Sequence, residues 1–262
     1  MKIITSDSTG LSVGVGGVSG AGKTHVGATA PGGLWLLTEA NGLGTIHEVA
    51  KQVAVVESLN DLLATTDPST PVVVPLFTGD DMKRVDALDA AALFIARNAE
   101  AIRKAGRSTV ILDSFSDLNQ RVIDAESNKM GDKLEFDSWQ RVKVRSLRPL
   151  DMLRTVVGQG LDLIVTFLVA EKMKATKGEA VNEGWKPVLS SSAKDFFMSR
   201  LMAVCTLEAK SQQTAAGLQT TRIARFVGKT GFHVFKPKGA LGMEPPDFAT
   251  WKAKAFTNGD TK

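Results

Sequence analysis

The sequence predicts an α/β fold: a mostly parallel sheet flanked by helices, with an antiparallel extension towards the C-terminus. Three observations carry this expectation. Short apolar runs that suit buried strands alternate with segments of helical periodicity. One of those runs feeds a glycine-rich loop that opens a helix. Two others end in an acid, Glu39 and Asp113, and folds of this class gather their ligand at the carboxyl ends of the strands.

The first apolar run is Leu11 to Val15. It leads into Gly17, Val18, Ser19, Gly20, Ala21, Gly22, Lys23 and Thr24, which together read G-x-x-x-x-G-K-T, a complete phosphate-binding loop. Glycines let the backbone wrap closely, so that its N–H groups face phosphate oxygens. The helix that continues from His25 to Ala30 adds the partial positive charge of its N-terminus, and His25 closes the nucleotide-binding set. In such a loop Lys23 reaches the β- and γ-phosphates of ATP and the Thr24 hydroxyl ligates Mg2+. No dinucleotide fingerprint competes, because Ser19 stands where Gly14-x-Gly16 would need its third glycine.

Pro31-Gly32-Gly33 is a turn. Leu34 to Thr38 is the next strand, ending in Glu39, and Asn41-Gly42-Leu43-Gly44 opens a loop. Val53–Val56 and Val72–Val74 are short strands, with a brief helix near Asn60–Leu63 between them. Asp86 to Ala105 is a helix whose stripe is Leu88, Ala92, Ile95, Ala99 and Ile102, closed by Gly106. Val110-Ile111-Leu112 then runs into Asp113, and Ser114 caps a helix reaching about Asn128. Trp139 to Gly158 is helical, restarting at Pro149. Leu161 to Val169 closes the parallel core.

Beyond Glu171 the texture changes. Lys172 to Gly184 is polar and rich in lysine, and reads as a loop. Val204–Glu208 and Thr221–Val227 are strands around the polar tip Ser211–Gly217, with a third at Phe232–Phe235. Residues 1–262 are expected to form one domain: a core over about 10–170, an antiparallel edge extension over about 185–240 and a tail over 241–262.

Composition excludes several classes. Hydrophobic residues make up 43% of the chain, ample for a buried core, and the formal net charge of +4 permits an anionic partner. Cys205 is the single cysteine, so no disulfide framework or zinc cluster is expected, and the three histidines are scattered. The N-terminus has no apolar signal-like core and no apolar run reaches membrane length, so a soluble, cytoplasmic protein without membrane contact is the expectation.

Mg2+ bound with a triphosphate needs a carboxylate near Thr24, and Asp113 fits, ending an apolar strand. Hydrolysis further needs a group that orients and deprotonates water. Many related ATPases place a glutamate directly after the metal aspartate. Ser114 stands there, which leaves Glu39, at the end of the strand after the loop helix, as the candidate base.

Gly17–Thr24, Leu34–Glu39, Val110–Ser114 and the strand Leu163-Ile164-Val165-Thr166 together resemble the RecA superfamily. More closely, they resemble the phage-type RecA-like nucleotide-binding ATPases that include single-strand-annealing proteins. The resemblance covers about residues 10–240. It implies a RecA-like P-loop core, Glu39 as the activator of water, and Thr166 as the residue left to sense the γ-phosphate, since Phe167, Leu168 and Val169 follow it. It also implies cations reaching a neighbouring subunit's nucleotide, which match Lys236 and Lys238 by position and Lys229 less well. A homo-oligomer, ring or filament, follows from that. Two loops would line a path for single-stranded DNA: Lys129–Asp137, and Lys172–Lys186 with Lys172, Lys174, Lys177 and Trp185. Arg141, Arg145 and Arg148 share a helix face by spacing, and that face could meet DNA or a neighbouring subunit.

The leading expectation is therefore an Mg-dependent, DNA-stimulated ATPase of phage-type recombination, placed in the host cytoplasm if phage-encoded. Two alternatives stand beside it. One is a small-molecule or nucleotide kinase, which shares the loop but needs an arginine-rich lid, whereas Lys172–Gly184 contains no arginine. The other is a non-hydrolysing, nucleotide-gated DNA-binding scaffold. A GTPase fits poorly, because Asn128-Lys129-Met130-Gly131-Asp132 has one residue too many for the guanine-reading motif.

Overall fold

A computed structural model describes residues 10–64, 67–130, 134–176, 179–214, 217–226 and 238–256. Its centre is a parallel sheet. Strand β1 (Ser12–Gly17) lies between β6 (Asp162–Thr176) and β8 (Ala203–Thr214), parallel to both. Beyond β6 follow β5 (Thr109–Asp113), β2 (Gly33–Leu37), β4 (Val72–Pro75) and β3 (Ala54–Val55), all parallel. On the other side β9 (Gly217–Arg225) returns antiparallel along β8, and β10 (Met243–Glu244) pairs with β9. The expected α/β architecture, a mostly parallel sheet flanked by helices with antiparallel strands towards the C-terminus, is what the chain adopts.

Both faces of the sheet are covered, which is why the central strands are apolar on both sides. On one face, α3 (Asp81–Lys104), α4 (Phe115–Met130), α5 (Phe136–Val157) and α6 (Ser191–Ser199) pack against Leu34, Leu36, Val110, Leu112, Leu163 and Val165. On the other, α1 (Lys23–Ala28), α2 (Asn41–Val49) and α7 (Phe248–Ala255) pack against Val13, Val15, Trp35, Ile111 and Ile164. The stripe Leu88, Ala92, Ile95, Ala99 and Ile102 is buried as its spacing requires. Each large aliphatic side chain removed from water there contributes about 1.5–3 kcal/mol.

Several local expectations are corrected. Asn41–Gly44 opens no loop but begins α2. A Cβ on Gly42 would fall 2.5 Å from Leu37 Cδ1, so the glycine lets the helix settle on the strand end and tertiary packing overrides helix propensity. α3 begins at Asp81 because Asp80 caps it, accepting from Lys83 N at 2.8 Å. α5 does not restart at Pro149; the proline lies buried inside one continuous helix. Lys172–Gly184 is no open loop, since β6 runs on to Thr176 and pairs antiparallel with β7 (Glu179–Pro187). The parallel core does not end near residue 170, because β8 adds to it directly beside β1. Nor is 241–262 merely a tail: α7 buries Phe248 and Trp251, and Lys252 Nζ reaches the fully buried Asp162 at 2.9 Å. The strand expected at Phe232–Phe235 lies outside the described residues.

Among the described residues no helix is long and apolar enough to cross a membrane.

Candidate functional site

Four parallel strands converge on one site. β1 delivers the phosphate loop, β2 delivers Thr38 and Glu39, β5 delivers Asp113 and Ser114, and β6 delivers Thr166. The register sets Leu37 opposite Asp113, which brings the residues just beyond each strand end side by side.

The loop enters α1 through Gly22, whose φ of 95° belongs to the left-handed region and suits glycine. Lys23 Nζ folds back to donate to the carbonyls of Gly17, at 3.1 Å, and Val18, at 2.9 Å. Burial pushes the Lys23 ammonium below its usual pKa, while the Asp113 and Glu39 carboxylates pull in the other direction. A half-desolvated cation held by carbonyls suits an anionic ligand, whose phosphates would replace those weak partners with charge-assisted hydrogen bonds.

Asp113 is nearly buried, at 7% exposure, and is held from both sides. Its Oδ2 accepts from Thr24 Oγ1 at 2.8 Å, and its Oδ1 accepts a short bond from the Thr166 hydroxyl. Thr24 and Asp113 thus offer two hard oxygens at one point, the donor type Mg2+ takes. Thr166, the residue expected to sense a γ-phosphate, stands beside this pair and donates its hydroxyl to Asp113. Around them, Thr38 Oγ1 accepts from Ser114 N at 2.9 Å, and Thr38 N donates to the Asp113 carbonyl at 2.8 Å. Ser114 Oγ accepts from Asp117 N at 3.2 Å, capping α4, and donates to Glu39 Oε1 at 3.0 Å. The Asp113–Ser114 peptide is cis.

These groups border a cavity of about 400 Å³ lined by Gly20, Gly22, Lys23, Thr24, Glu39 and Asp113, with His25 and Arg222 also on its wall. A second cavity of about 740 Å³ meets it at Glu39 and Leu168 and is bordered by Asn119, Lys186, Ser190 and Lys194.

The other predicted residues are placed less simply. Arg141, Arg145 and Arg148 are not a free basic face. Arg141 and Arg145 pair with the buried Glu126, at 2.9 and 3.5 Å, Arg145 with Asp86 at 2.9 Å and Arg148 with Asp89 at 3.5 Å. The spacing that aligns them turns them towards acids of α3 and α4. Trp185 is half-buried against the core, on the inner part of β7, rather than exposed as a stacking platform. Lys172 and Lys174 lie on β6. Lys238 Nζ stands 5.8 Å from the Phe256 ring centroid. Lys177, Lys229, Lys236 and residues 131–133 of the first expected DNA loop lie outside the described residues; Phe136 and Asp137 of that loop already belong to α5.

Three contributors escaped the sequence reading. The sequence marks Ser114 as a helix cap standing where a glutamate is usual, and Thr38 only as the end of an apolar run. Both flank the strand-end acids, and that adjacency was the available signal. Arg222 carries no local signal; only the return of β9 along β8 brings it to the phosphate loop.

A family model described as an AAA domain matches residues 9–233. Among solved structures, a prototypical type III secretion ATPase from pathogenic bacteria aligns with 14% identity and a TM-score of 0.43, over 76% of this chain and 51% of that one. A KaiC-like protein from Pyrococcus horikoshii OT3 aligns with 15% identity and a TM-score of 0.39, over 90% of each chain. The assembled type III secretion ATPase EscN from enteropathogenic E. coli aligns with 14% identity and a TM-score of 0.42, over 77% of this chain and 45% of that one. The chain thus spans about half the length of the two secretion ATPases. No curated protein matches it.

Proposed function

The chain belongs to the AAA domain family, and from that premise we propose that it is a RecA-like P-loop ATPase, Mg-dependent and acting on single-stranded DNA in phage-type recombination, by annealing or strand exchange. One observation carries the catalytic part: Glu39 stands at the wall of the phosphate-loop cavity, tethered by Ser114, beside an Asp113 already bonded to Thr24.

In this reading the loop N–H groups and Lys23 bind the triphosphate, and Thr24 with Asp113 hold Mg2+, which screens phosphate charge. Thr166 and Thr38 fix Asp113 and the backbone beside it. Glu39 accepts a proton from the attacking water. Binding between subunits of a ring or filament, with a cation such as Lys236 or Lys238 supplied by the neighbour, completes the proposal.

The DNA part is supported by the sequence resemblance and by the lysines carried along β6 and β7. The arginine row of α5 gives it no support, being occupied within the chain. The test is ATP turnover by the purified protein, with and without single-stranded DNA, beside Glu39→Gln. Stimulation by DNA that is lost in the variant is the expected outcome.

The second cavity favours one other reading. Its 740 Å³ open directly onto Glu39, where an acceptor of phosphoryl transfer would sit in a small-molecule kinase. Turnover indifferent to DNA but raised by a small acceptor would select that reading. ATP bound without turnover would select a nucleotide-gated scaffold.

A further inference from the structure

Arg222 is drawn to the phosphate loop by the topology alone. Thr206 of β8 pairs with Gly16 of β1, and Ala209, three residues further along β8, pairs with Arg222 of β9. At about 3.3 Å per residue, that places Arg222 roughly 10 Å beyond the end of the β1 ladder, at the height where the loop climbs off the sheet. Its side chain shares a face with Ala224, two residues on, which packs in the same core as Val13, Val15 and Ala21 beneath the loop.

The side chain then lies across the loop. A Cβ built on Gly22 would fall 3.1 Å from both Cδ and Nε of Arg222, so the loop glycine leaves the space through which the arginine passes. Arg222 lines the same cavity as Lys23, Thr24 and Asp113. It is exposed, and among the described residues no carboxylate neutralises it. Arg225 on the same strand is different: it is held by Glu208 through bonds of 2.8 and 3.1 Å. One arginine of β9 is thus tied to an acid, and the other is left facing a cavity already built for an anion.

We propose that Arg222 is a phosphate-binding residue acting on the nucleotide of its own subunit, closing over the loop from the side opposite Glu39's strand. The proposal rests on the nucleotide reading of the phosphate loop and adds to it a second cation, supplied in cis. Its planar fork suits bidentate contact with phosphate oxygens, which a lysine does not reproduce. One protomer then brings both Lys23 and Arg222 to the polyphosphate before any neighbour contributes.

The test is equilibrium binding of β,γ-imido-ATP to the full chain. Wild type and Lys23→Ala serve as positive and negative references, and Arg222→Ala and Arg222→Lys are compared with them. Arg222→Ala is expected to weaken binding by about tenfold or more, and Arg222→Lys by less, the loss matching one charge-assisted hydrogen-bonding partner. Thermal unfolding without nucleotide is expected to match wild type for both, since the side chain is exposed. If Arg222→Ala proves unstable, the Arg222→Lys affinity decides alone. A mixing experiment separates cis from trans. Excess Lys23→Ala protein carries an intact Arg222 but no working loop, and it is added to Arg222→Ala protein. Affinity that stays weak supports action within the subunit; restored affinity overturns it in favour of a neighbour's arginine. Wild type that binds while Arg222→Ala binds equally well overturns the role of Arg222 alone. Wild type that does not bind overturns the nucleotide reading itself.

Discussion

The Ser114 hydroxyl donates a 3.0 Å hydrogen bond to Glu39 Oε1, joining the end of β5 to the end of β2 across the mouth of the site. The position directly after Asp113 therefore contributes no acid. It holds one that arrives from the neighbouring strand. The same hydroxyl accepts from Asp117 N, so the start of α4 fixes the orientation of the tether.

Removing the tether is expected to loosen the acid without deleting it. Ser114→Ala should keep ATP affinity near wild type and lower kcat by about tenfold, the cost of misplacing a proton acceptor rather than losing it. Single-turnover kinetics beside equilibrium binding checks this; a loss confined to KM would refute the tether's role.

Lys23 bears a desolvation penalty, and among the described residues its hydrogen-bond partners are the Gly17 and Val18 carbonyls. Lys23→Ala should therefore leave the free protein at least as heat-stable as wild type. It should also abolish the rise in Tm that ATP with Mg2+ gives the wild type. Differential scanning calorimetry with and without nucleotide reads both effects, and a Tm shift that persists in the variant would remove Lys23 from the site.

The lowered Lys23 pKa also has a pH signature. Between that lowered value and the ordinary lysine value of about 10.4, the folded free protein binds fewer protons than the unfolded chain, so Lys23 makes stability rise with pH across that window. Nucleotide affinity runs the opposite way, falling as the ammonium is lost at a lower pH than an exposed lysine would require. Titrating ATP affinity and Tm across the alkaline range should show these opposed trends in wild type and neither in Lys23→Ala.

Gly27 of α1 lies against Trp35, where an added Cβ would meet the ring at 2.6 Å. Trp35 is fully buried, so the ring has nowhere to withdraw. Gly27→Ala should cost about 1–3 kcal/mol by overpacking, outweighing the propensity gain of alanine in a helix. Urea denaturation measures the difference. An unchanged midpoint would show that α1 can shift outward on the sheet.

What could be read from the sequence was what short-range pattern encodes. The loop Gly17–Thr24 declares itself through spacing, and Glu39 and Asp113 through their place after apolar runs. Their convergence follows once parallel pairing sets Leu37 opposite Asp113. Illegible were features fixed by partners distant in the chain. The row Arg141, Arg145, Arg148 shows its common face in its spacing, but not that Glu126, Asp86 and Asp89 await it. Asn41–Gly44 looks like a loop until Gly42 is seen to be where the helix touches Leu37. The lysine-rich polarity of Lys172–Gly184 suggested a loop, but a two-stranded ribbon gains its order from backbone pairing, which polar side chains do not prevent.

The flanking of β1 by β6 and β8 bears on the order in which the molecule is assembled. Both neighbours of the strand that carries the phosphate loop come late: Ile164 pairs with Val13 on one side, and Ala203, in the final quarter of the chain, pairs with it on the other. As the chain leaves the ribosome, the loop emerges well before β6 and β8, so its strand has no parallel ladder until they follow. Closing such long loops is slow because their entropy must be spent before the contacts form. The nucleotide cradle is thus synthesised early and seated late, so a nascent chain halted before β8 would expose an apolar strand edge and call for a chaperone rather than for ATP.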